Sequence, residues 1–261
     1  VLEELAENAV FLCGNEEIET ANENVEKFLI SGKYPSGNSS AHINKICPIR
    51  KSKKTWTISW QDVIRIGKYI STKSYCFDKY VSVTGSACVE PKLLKTVSGA
   101  SLTELTAGNT NKESRLISGS ALYGTSGDSY TSYLTRYSDQ VTIISDERKA
   151  NLFNWLKLGE KDHSATNVFL SSITKPEKFD FDTNVNGGYR AIVPIGVFDE
   201  VNIFDIDPTL FLKSLAIGDL VALRELGIFD LIPEDMSVFS YVCPSKYLSL
   251  IHISEPTRLE P

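Results

Sequence analysis

The sequence predicts a mixed protein whose front is α/β, whose middle is α+β and whose end is a small helical segment. An apolar run and a helix-permissive stretch open the chain, and short β-branched strands with one helix between them follow residue 76. Three short helices with clear start and stop residues lie after residue 206. With 261 residues, 42% of them hydrophobic, the chain has material for more than one core.

The first 76 residues predict an α/β layer. An apolar run at residues 8–13 ends at Gly14, as a buried strand should, and acidic, helix-permissive residues 16–30 follow. Residues 32–41 then mix Gly, Pro, Ser and Asn, which indicates a loop. This order fits an α/β layer. Because the chain starts without Met inside a helix-like segment, we expect the N-terminal part of that layer to be missing.

A helix is predicted at residues 59–71, where apolar residues recur at helical spacing. Ser59 and Asp62 offer a helix start, although a capping box would place Glu or Gln at the second position. Aromatic residues near this helix could frame a pocket for a planar ligand such as a quinone. Core packing is the expected role of these four, which are Trp56, Trp60, Tyr69 and Phe77.

Residues 77–147 predict a β-grasp-like module. Turn residues separate the strands, and a capping box of Ser101 and Glu104 opens a short helix that ends at Gly108. The strands are predicted at residues 80–84, 93–97, 115–118 and 140–145. Two strands, one helix and two returning strands define the module.

Residues 148–248 predict a C-terminal α+β and helical domain. A strand interrupted by Pro194 is expected at residues 192–197, on a sheet edge or at a bulge. Three helices follow: one capped by Asp207 with Pro208 in its first turn and ending at Gly218, then residues 219–226, then residues 233–243.

Composition excludes several classes of function. A net charge of −6 argues against binding to a phosphate backbone, and no apolar run reaches the roughly 20 residues of a membrane-spanning helix. Five scattered cysteines without a C-x-x-C spacing favour reduced thiols in a cytoplasmic protein. His42 and Cys47 supply only two potential metal ligands, so we expect no metal site.

Motifs of nucleotide binding and hydrolysis are missing from the sequence. It contains no G-x-x-x-x-G-K-[ST], no G-x-G-x-x-G after a strand and no G-x-S-x-G, so we expect no catalytic or cofactor-binding residue. Lys92 and Lys95 flank a predicted strand whose turns contain Gly85 and Gly99. These four are the candidate ligand-facing or partner-facing residues. A solvated strand face is the alternative interpretation of the two lysines.

Several segments in a fixed order resemble the family formed by the A subunit of the sodium-translocating NADH:quinone reductase. They lie at residues 60–64, 67–68, 81–85, 91–102, 115–122, 133–137, 193–196, 207–210 and 242–247. Residues 249–261 match nothing in the family and form an atypical tail that we expect to be an artefact.

The resemblance implies a fold and a function. Family members have a Rossmann-like domain related to the NADH/FMN subunit of complex I, then a β-grasp (SLBB-like) domain and a C-terminal segment. Their complex passes electrons from NADH to ubiquinone and exports sodium, and its flavins and iron–sulfur cluster lie mainly on other subunits. The resemblance implies a peripheral subunit on the cytoplasmic face of the bacterial inner membrane, with the other subunits as partners and ubiquinone nearby.

Two other functions stay open on the sequence alone. One is an NADH/FMN-binding dehydrogenase subunit of a complex I-like or Rnf-like system, whose relatives carry glycine-rich flavin loops or iron–sulfur cysteines. The other is a free-standing β-grasp module that binds a small ligand.

Overall fold

A computed structural model describes residues 2–6, 9–19, 24–48, 54–110, 113–126, 132–146, 158–160, 169–176, 179, 181–183 and 191–243. The chain divides into two compact units. The first takes its described residues from 2–57 and 193–239, and the second takes its own from 58–192 and 240–243. The predicted tail at 249–261 lies outside the described residues. The predicted domain boundaries after residues 76, 147 and 248 stay predictions.

The first unit begins with helix α1 (Leu2–Leu5) and the parallel strands β1 (Val10–Gly14) and β2 (Val25–Leu29). The strand predicted at 8–13 is confirmed by β1. The helix predicted over residues 16–30 is wrong where β2 lies. Its Glu and Lys residues suit a helix locally, but all five residues of β2 pair in register with β1, a contact that periodicity does not reveal.

Helix α2 (Ser39–Ile46) follows in the same unit and begins inside the stretch predicted as a loop. The irregular backbone therefore ends at Asn38, which is the N-cap of α2. The mixture of Ser and Asn that indicated a loop is also typical of a helix start, so composition alone did not separate the two.

The C-terminal part of the first unit contains α6 (Pro208–Ile217) and α7 (Leu220–Glu225), and α8 (Met236–Val242) starts in it. These three predicted helices are confirmed. Asp207 accepts a hydrogen bond from the Leu210 amide at 2.9 Å, and Asp219 accepts two at 3.1 Å from Val221 and Ala222. Each carboxylate satisfies amides that the first helical turn leaves unpaired.

The strand predicted at residues 192–197 is wrong, because the backbone there is irregular and turns. The Ile195 amide donates to the Val193 carbonyl at 3.0 Å, which closes a tight local turn around Pro194. Proline has no amide hydrogen to donate to a neighbouring strand, so the apolar residues beside it do not join a sheet.

The second unit is built on a five-stranded mixed sheet in the order β4-β3-β7-β5-β6. Its strands are β3 (Asp78–Thr84), β4 (Lys92–Val97), β5 (Ser114–Ser118), β6 (Thr125–Ser126) and β7 (Gln140–Ser145). The pair β3–β7 is parallel, and the pairs β3–β4, β5–β7 and β5–β6 are antiparallel. The four strands predicted here are confirmed, and β6 is an addition to them.

Helices α3 (Trp60–Thr72), α4 (Leu102–Leu105) and α5 (Ser171–Thr174) complete the second unit. The core lies on one face of the sheet and is formed by Val81, Val83, Leu102, Leu134, Val141 and Ile143, with Ala87. Helix α3 confirms the prediction at 59–71, and the Asp62 amide donates to the Ser59 hydroxyl at 3.2 Å.

The capping box predicted at Ser101 is wrong, since the Ser101 side chain accepts no hydrogen bond from α4. Backbone groups from elsewhere in the chain hold the start of α4 instead. Ser101 forms a β-bridge with Tyr133, and the Leu102 amide donates to the Ser132 carbonyl at 2.8 Å. A tertiary contact thus replaces the local cap. Across both units the predicted mixture of sheets and helices is confirmed.

Candidate partner-docking edge

The two candidate lysines lie on β4, the outermost strand of the five-stranded sheet. Lys92 is paired with Val83 and Lys95 with Tyr80 of β3. The Lys95 ammonium lies 2.7 Å from the Asp78 carboxylate, and this hydrogen bond raises the pKa of Lys95 and lowers the pKa of Asp78. Lys92 is exposed and forms no ion pair within the described part of the chain.

The two candidate glycines have different surroundings. Gly85 has a φ of +133°, and a Cβ added to it would lie 2.1 Å from the Ile143 carbonyl oxygen of β7. Gly99 has a φ of +82° with open space around it, and its amide donates to the Leu134 carbonyl at 3.0 Å. Gly85 therefore permits close packing of strands, and Gly99 ends β4. The four candidates lie along one hairpin and form no shared pocket among the described residues.

A buried lysine beneath this hairpin is the polar feature that sequence reasoning missed. Lys79 of β3 is 1% exposed. Its ammonium donates to the Thr135 carbonyl at 3.2 Å and to the Arg136 carbonyl, and it lies 3.5 Å from the Asp139 carboxylate. Burial lowers the pKa of Lys79, and the nearby Asp139 opposes that shift. The sequence did contain one indication of this burial: Lys79 alternates with Val81, so both side chains lie on the core face of β3.

Helix α3 is joined to β3 by polar side chains. The Gln61 amide donates to the Tyr80 carbonyl and accepts from the Tyr80 amide, both at 2.9 Å. Arg65 donates twice to the Asp78 carbonyl, at 3.1 and 2.9 Å. Gln61 therefore satisfies the backbone of β3 in the way that a neighbouring strand would, at a position where β7 has not yet begun.

The carboxylate of Asp62, on the same helix, lies near three donor side chains. It lies 3.0 Å from the Ser59 hydroxyl, 2.8 Å from Arg65 and 3.5 Å from Arg136. Burial alone would raise the pKa of Asp62, but the hydrogen bonds from Ser59 and Arg65 and the charge of Arg136 lower it. The cluster fixes the start of α3 beside the loop that Lys79 holds.

The apolar stripe of α3 faces outward. The prediction that the four aromatic residues on and near this helix pack in the core is wrong. Trp56 is 92% exposed and Trp60 59%, and the remaining two, Tyr69 and Phe77, are also exposed. Tyr75 stacks between these two, with ring centroids at 4.8 and 6.2 Å. Helical spacing revealed the stripe but not its direction, which the hydrogen bonds of Gln61 and Arg65 to β3 decide.

The first unit has a cavity of about 310 Å³ where β1 ends. Its lining includes the charged residues Glu16, Glu17, Glu19 and Lys27 and the apolar Phe28. The described residues contain no group of three or more His, Cys, Asp or Glu that could hold a metal ion. His42 and Cys47 were the two potential metal ligands noted in the sequence. The His42 ring lies 3.0 Å from the Ser36 carbonyl, and Cys47 ends α2.

No helix among the described residues is both long and apolar enough to cross a membrane. The described residues offer a sheet edge, an apolar helix face and a small acidic cavity as surfaces for other molecules. Of these, the sheet edge contains the two candidate lysines, Lys92 and Lys95.

Comparison with known proteins gives two matching family models. The model described as the NqrA second alpha/beta domain matches residues 1–75, and that described as the NQRA C-terminal domain matches residues 80–128.

Curated relatives match most of the chain. Proteins named as the A subunit of the Na(+)-translocating NADH-quinone reductase are 38% identical in Saccharophagus degradans over 251 residues and 37% identical in Psychromonas ingrahamii over 250. The protein of that name in Neisseria meningitidis serogroup B is 38% identical over 251 residues. Each match covers 95% of this chain and 56% of the relative, so the chain spans about half the length of these relatives. The resemblance seen in the sequence is confirmed, because the chain is similar over 95% of its length to proteins named as the A subunit of the Na(+)-translocating NADH-quinone reductase and matches two family models described as NqrA domains.

Proposed function

We propose that the chain acts as a peripheral subunit of a Na⁺-translocating NADH:ubiquinone oxidoreductase and supports electron transfer from NADH to ubiquinone coupled to Na⁺ export. The observation that carries this proposal is the 37–38% identity over 95% of the chain to subunits that bear this name. The chain is thus an enzyme component through its complex, and none of its own residues is assigned a catalytic role.

The partners of the proposed subunit are the integral and peripheral subunits of the same complex, with ubiquinone nearby. NADH, flavins and an iron–sulfur cluster are then bound mainly by those other subunits. The proposed location is the cytoplasmic face of the bacterial inner membrane. A subunit of this kind contributes surfaces that hold neighbouring proteins, which is consistent with the exposed edge of β4 and the outward stripe of α3.

We assign a β-grasp topology to the second unit as part of the same proposal. Its support is the central parallel pair β3–β7, flanked by β4 and β5, with α4 between the second and third of these four strands in chain order. The Rossmann-like assignment of the first unit is supported by the parallel pair β1–β2.

A deletion and complementation experiment tests the function. Membranes that lack the subunit should lose sodium-stimulated NADH:quinone reductase activity, and expression of the whole subunit containing this chain should restore it. Expression of an unrelated peripheral protein at the same level is the control. Activity that is indifferent to the subunit would sink the proposal, and a flavin spectrum in the purified chain would instead favour a dehydrogenase subunit.

A further inference from the structure

The outer edge of β4 has free backbone hydrogen-bonding groups at alternate residues. Both backbone polar groups of Tyr80 contact Gln61 and therefore point away from β4. In an antiparallel ladder, two directly opposed residues either both point their backbone groups toward each other or both point them away from each other. Lys95 is opposite Tyr80, so its amide and carbonyl point away from β3 as well.

The same geometry extends along the strand. Leu93 is opposite Ser82, whose amide donates to the Asp139 carbonyl at 3.1 Å and so also points away from β4. Val97 is opposite Asp78, whose carbonyl accepts from Arg65. Leu93 and Lys95 make no backbone hydrogen bond outside the β3–β4 pair with any described residue. The edge thus repeats its free groups every second residue, a spacing that an extended strand satisfies.

The side chains along this edge are apolar on both sides of the lysine. Leu93 is 71% exposed and Val97 47%, and both share the outer face of the sheet with Lys95. Pro91 precedes the strand, and the Ala100 amide donates to the Val97 carbonyl where the strand ends. The open edge is therefore six residues long, or roughly 20 Å.

We propose that this edge receives an extended strand from another polypeptide of the reductase, by β-strand addition beside β4. The proposal rests on the proposed function, which places the chain in a complex with other subunits. The incoming strand has apolar residues that cover Leu93 and Val97 and an acidic residue near Lys92 or Lys95. Main-chain hydrogen bonds to both backbone groups of Leu93 and Lys95 and to the amide of Val97 provide the attachment.

Charge decides between a partner strand and a second copy of this chain. Two copies paired about a two-fold axis, in the register that opposes the three outward-pointing residues Leu93, Lys95 and Val97, would place Lys95 opposite the Lys95 of its partner. Like charges directly opposed across a ladder are destabilising. A strand with an acidic residue at that position avoids this repulsion. Lys92 lies on the other face of β4 and forms no ion pair with the other described residues, so a separate acidic residue of the partner would neutralise it.

The test compares Lys95→Pro with Lys95→Ala in the whole subunit. Both variants lack the ammonium group, but only proline lacks the outward amide hydrogen, and proline is tolerated on an edge whose amide does not serve the ladder. After purification of the complex through a tag on another subunit, recovery of the proline variant should be about tenfold lower than that of the alanine variant. Equal recovery of the two variants would overturn the proposal.

Hydrogen exchange provides a second measurement that needs no variant. The amides of Leu93, Lys95 and Val97 should exchange at least about tenfold more slowly in the assembled complex than in the free subunit. Unchanged exchange in a complex that contains the subunit would overturn strand addition while leaving the proposed function intact. A wild-type subunit that does not co-purify at all would overturn both. A dimer of the isolated subunit that dissociates in Lys95→Pro would show that the occupant is a second copy.

Discussion

Ser40 donates its hydroxyl hydrogen to the Asp235 carboxylate at 2.8 Å, across 195 residues of sequence. The same oxygen of Asp235 accepts from Asn38 at 2.7 Å, and the other accepts from the Ile232 amide at 2.9 Å. Tyr34 adds a bond to the Glu234 carbonyl at 2.7 Å. Asp235 is fully buried, so these donors replace the water that a carboxylate would otherwise bind. The network joins the two sequence-distant parts of the first unit.

Replacement of Asp235 should therefore destabilise the first unit. Asp235→Asn puts an amide in a site filled by three donors, which leaves at least one of them without an acceptor. We expect a loss of about 2–4 kcal/mol in the free energy of unfolding, measured by urea denaturation. Asp205→Asn, on an exposed residue of the same unit, is the matched control and should change the stability by less than about 0.5 kcal/mol. Equal effects of the two variants would contradict this role of Asp235.

Gly85→Ala should destabilise the protein more than Gly99→Ala, because Gly85 is needed for close packing and Gly99 only for its turn. Both positions have positive φ, but only at Gly85 would a Cβ overlap backbone, that of Ile143 in β7. We expect Gly85→Ala to cost more than about 3 kcal/mol and Gly99→Ala about 1 kcal/mol in chemical denaturation. Comparable losses at the two sites would show that β7 moves aside at little cost.

Lys79→Met should change how stability depends on alkaline pH. Burial holds the pKa of Lys79 below its ordinary value of 10.5, so the unfolded chain binds its proton more tightly than the folded protein does. Between the lowered pKa and 10.5, the unfolding free energy of the wild type should therefore rise with pH relative to Lys79→Met. Parallel stability curves for the two proteins from pH 8 to 11 would rule this out.

At neutral pH the same substitution removes the ammonium group from the Thr135 and Arg136 carbonyls. We expect Lys79→Met to lose about 1–3 kcal/mol there, because the Arg136 carbonyl loses the lysine as donor and the Thr135 carbonyl keeps only a 3.4 Å bond from the Ser138 amide. Amide exchange at residues 135–139 should accelerate in the variant, and exchange in the first unit serves as the internal control. A loss of stability without faster exchange in that loop would point to a different cause.

Asp62→Asn should remove a contribution to stability that depends on acid pH. The pKa of Asp62 is below its ordinary value of 3.8 in the folded state, so its contribution is present above that value and is lost as the pH falls through the lowered pKa. At pH 7 we expect the variant to be less stable by about 1 kcal/mol. Thermal denaturation at pH 7 and near pH 3 should show this difference shrinking, and a constant difference would contradict it.

The parts of the fold that follow local rules could be predicted from the sequence. Asp207 and Asp219 start α6 and α7 as predicted, because a cap needs only residues within one turn. The strand β2 was missed because its stability comes from pairing with β1. The network of Asp235 was missed for a similar reason, since nothing near this residue in sequence shows that Ser40 will lie beside it.

In the candidate site too, features set by local sequence were predicted and features set by tertiary contacts were not. The turn residues on either side placed β4 correctly at 93–97, so both lysines were assigned to the neighbourhood of the right strand, which the structure extends to Lys92. The sequence did not show that this strand is the edge of the sheet, because strand order depends on tertiary contacts. Burial of Lys79 was equally hidden, since its partners Thr135 and Asp139 come from a distant loop.

The discontinuity of the first unit has a consequence for synthesis on the ribosome. Residues 58–192 belong to the second unit, so the partner of Ser40 is made long after Ser40 itself. At about 5–20 residues per second, roughly 10–40 s of translation separate the two. During that interval the five strands of the second unit have been made, whereas Asn38 and Ser40 still lack their C-terminal partner Asp235. A chaperone that shields this nascent segment around Ser40 should therefore raise the yield of folded protein, and slower translation should not improve it.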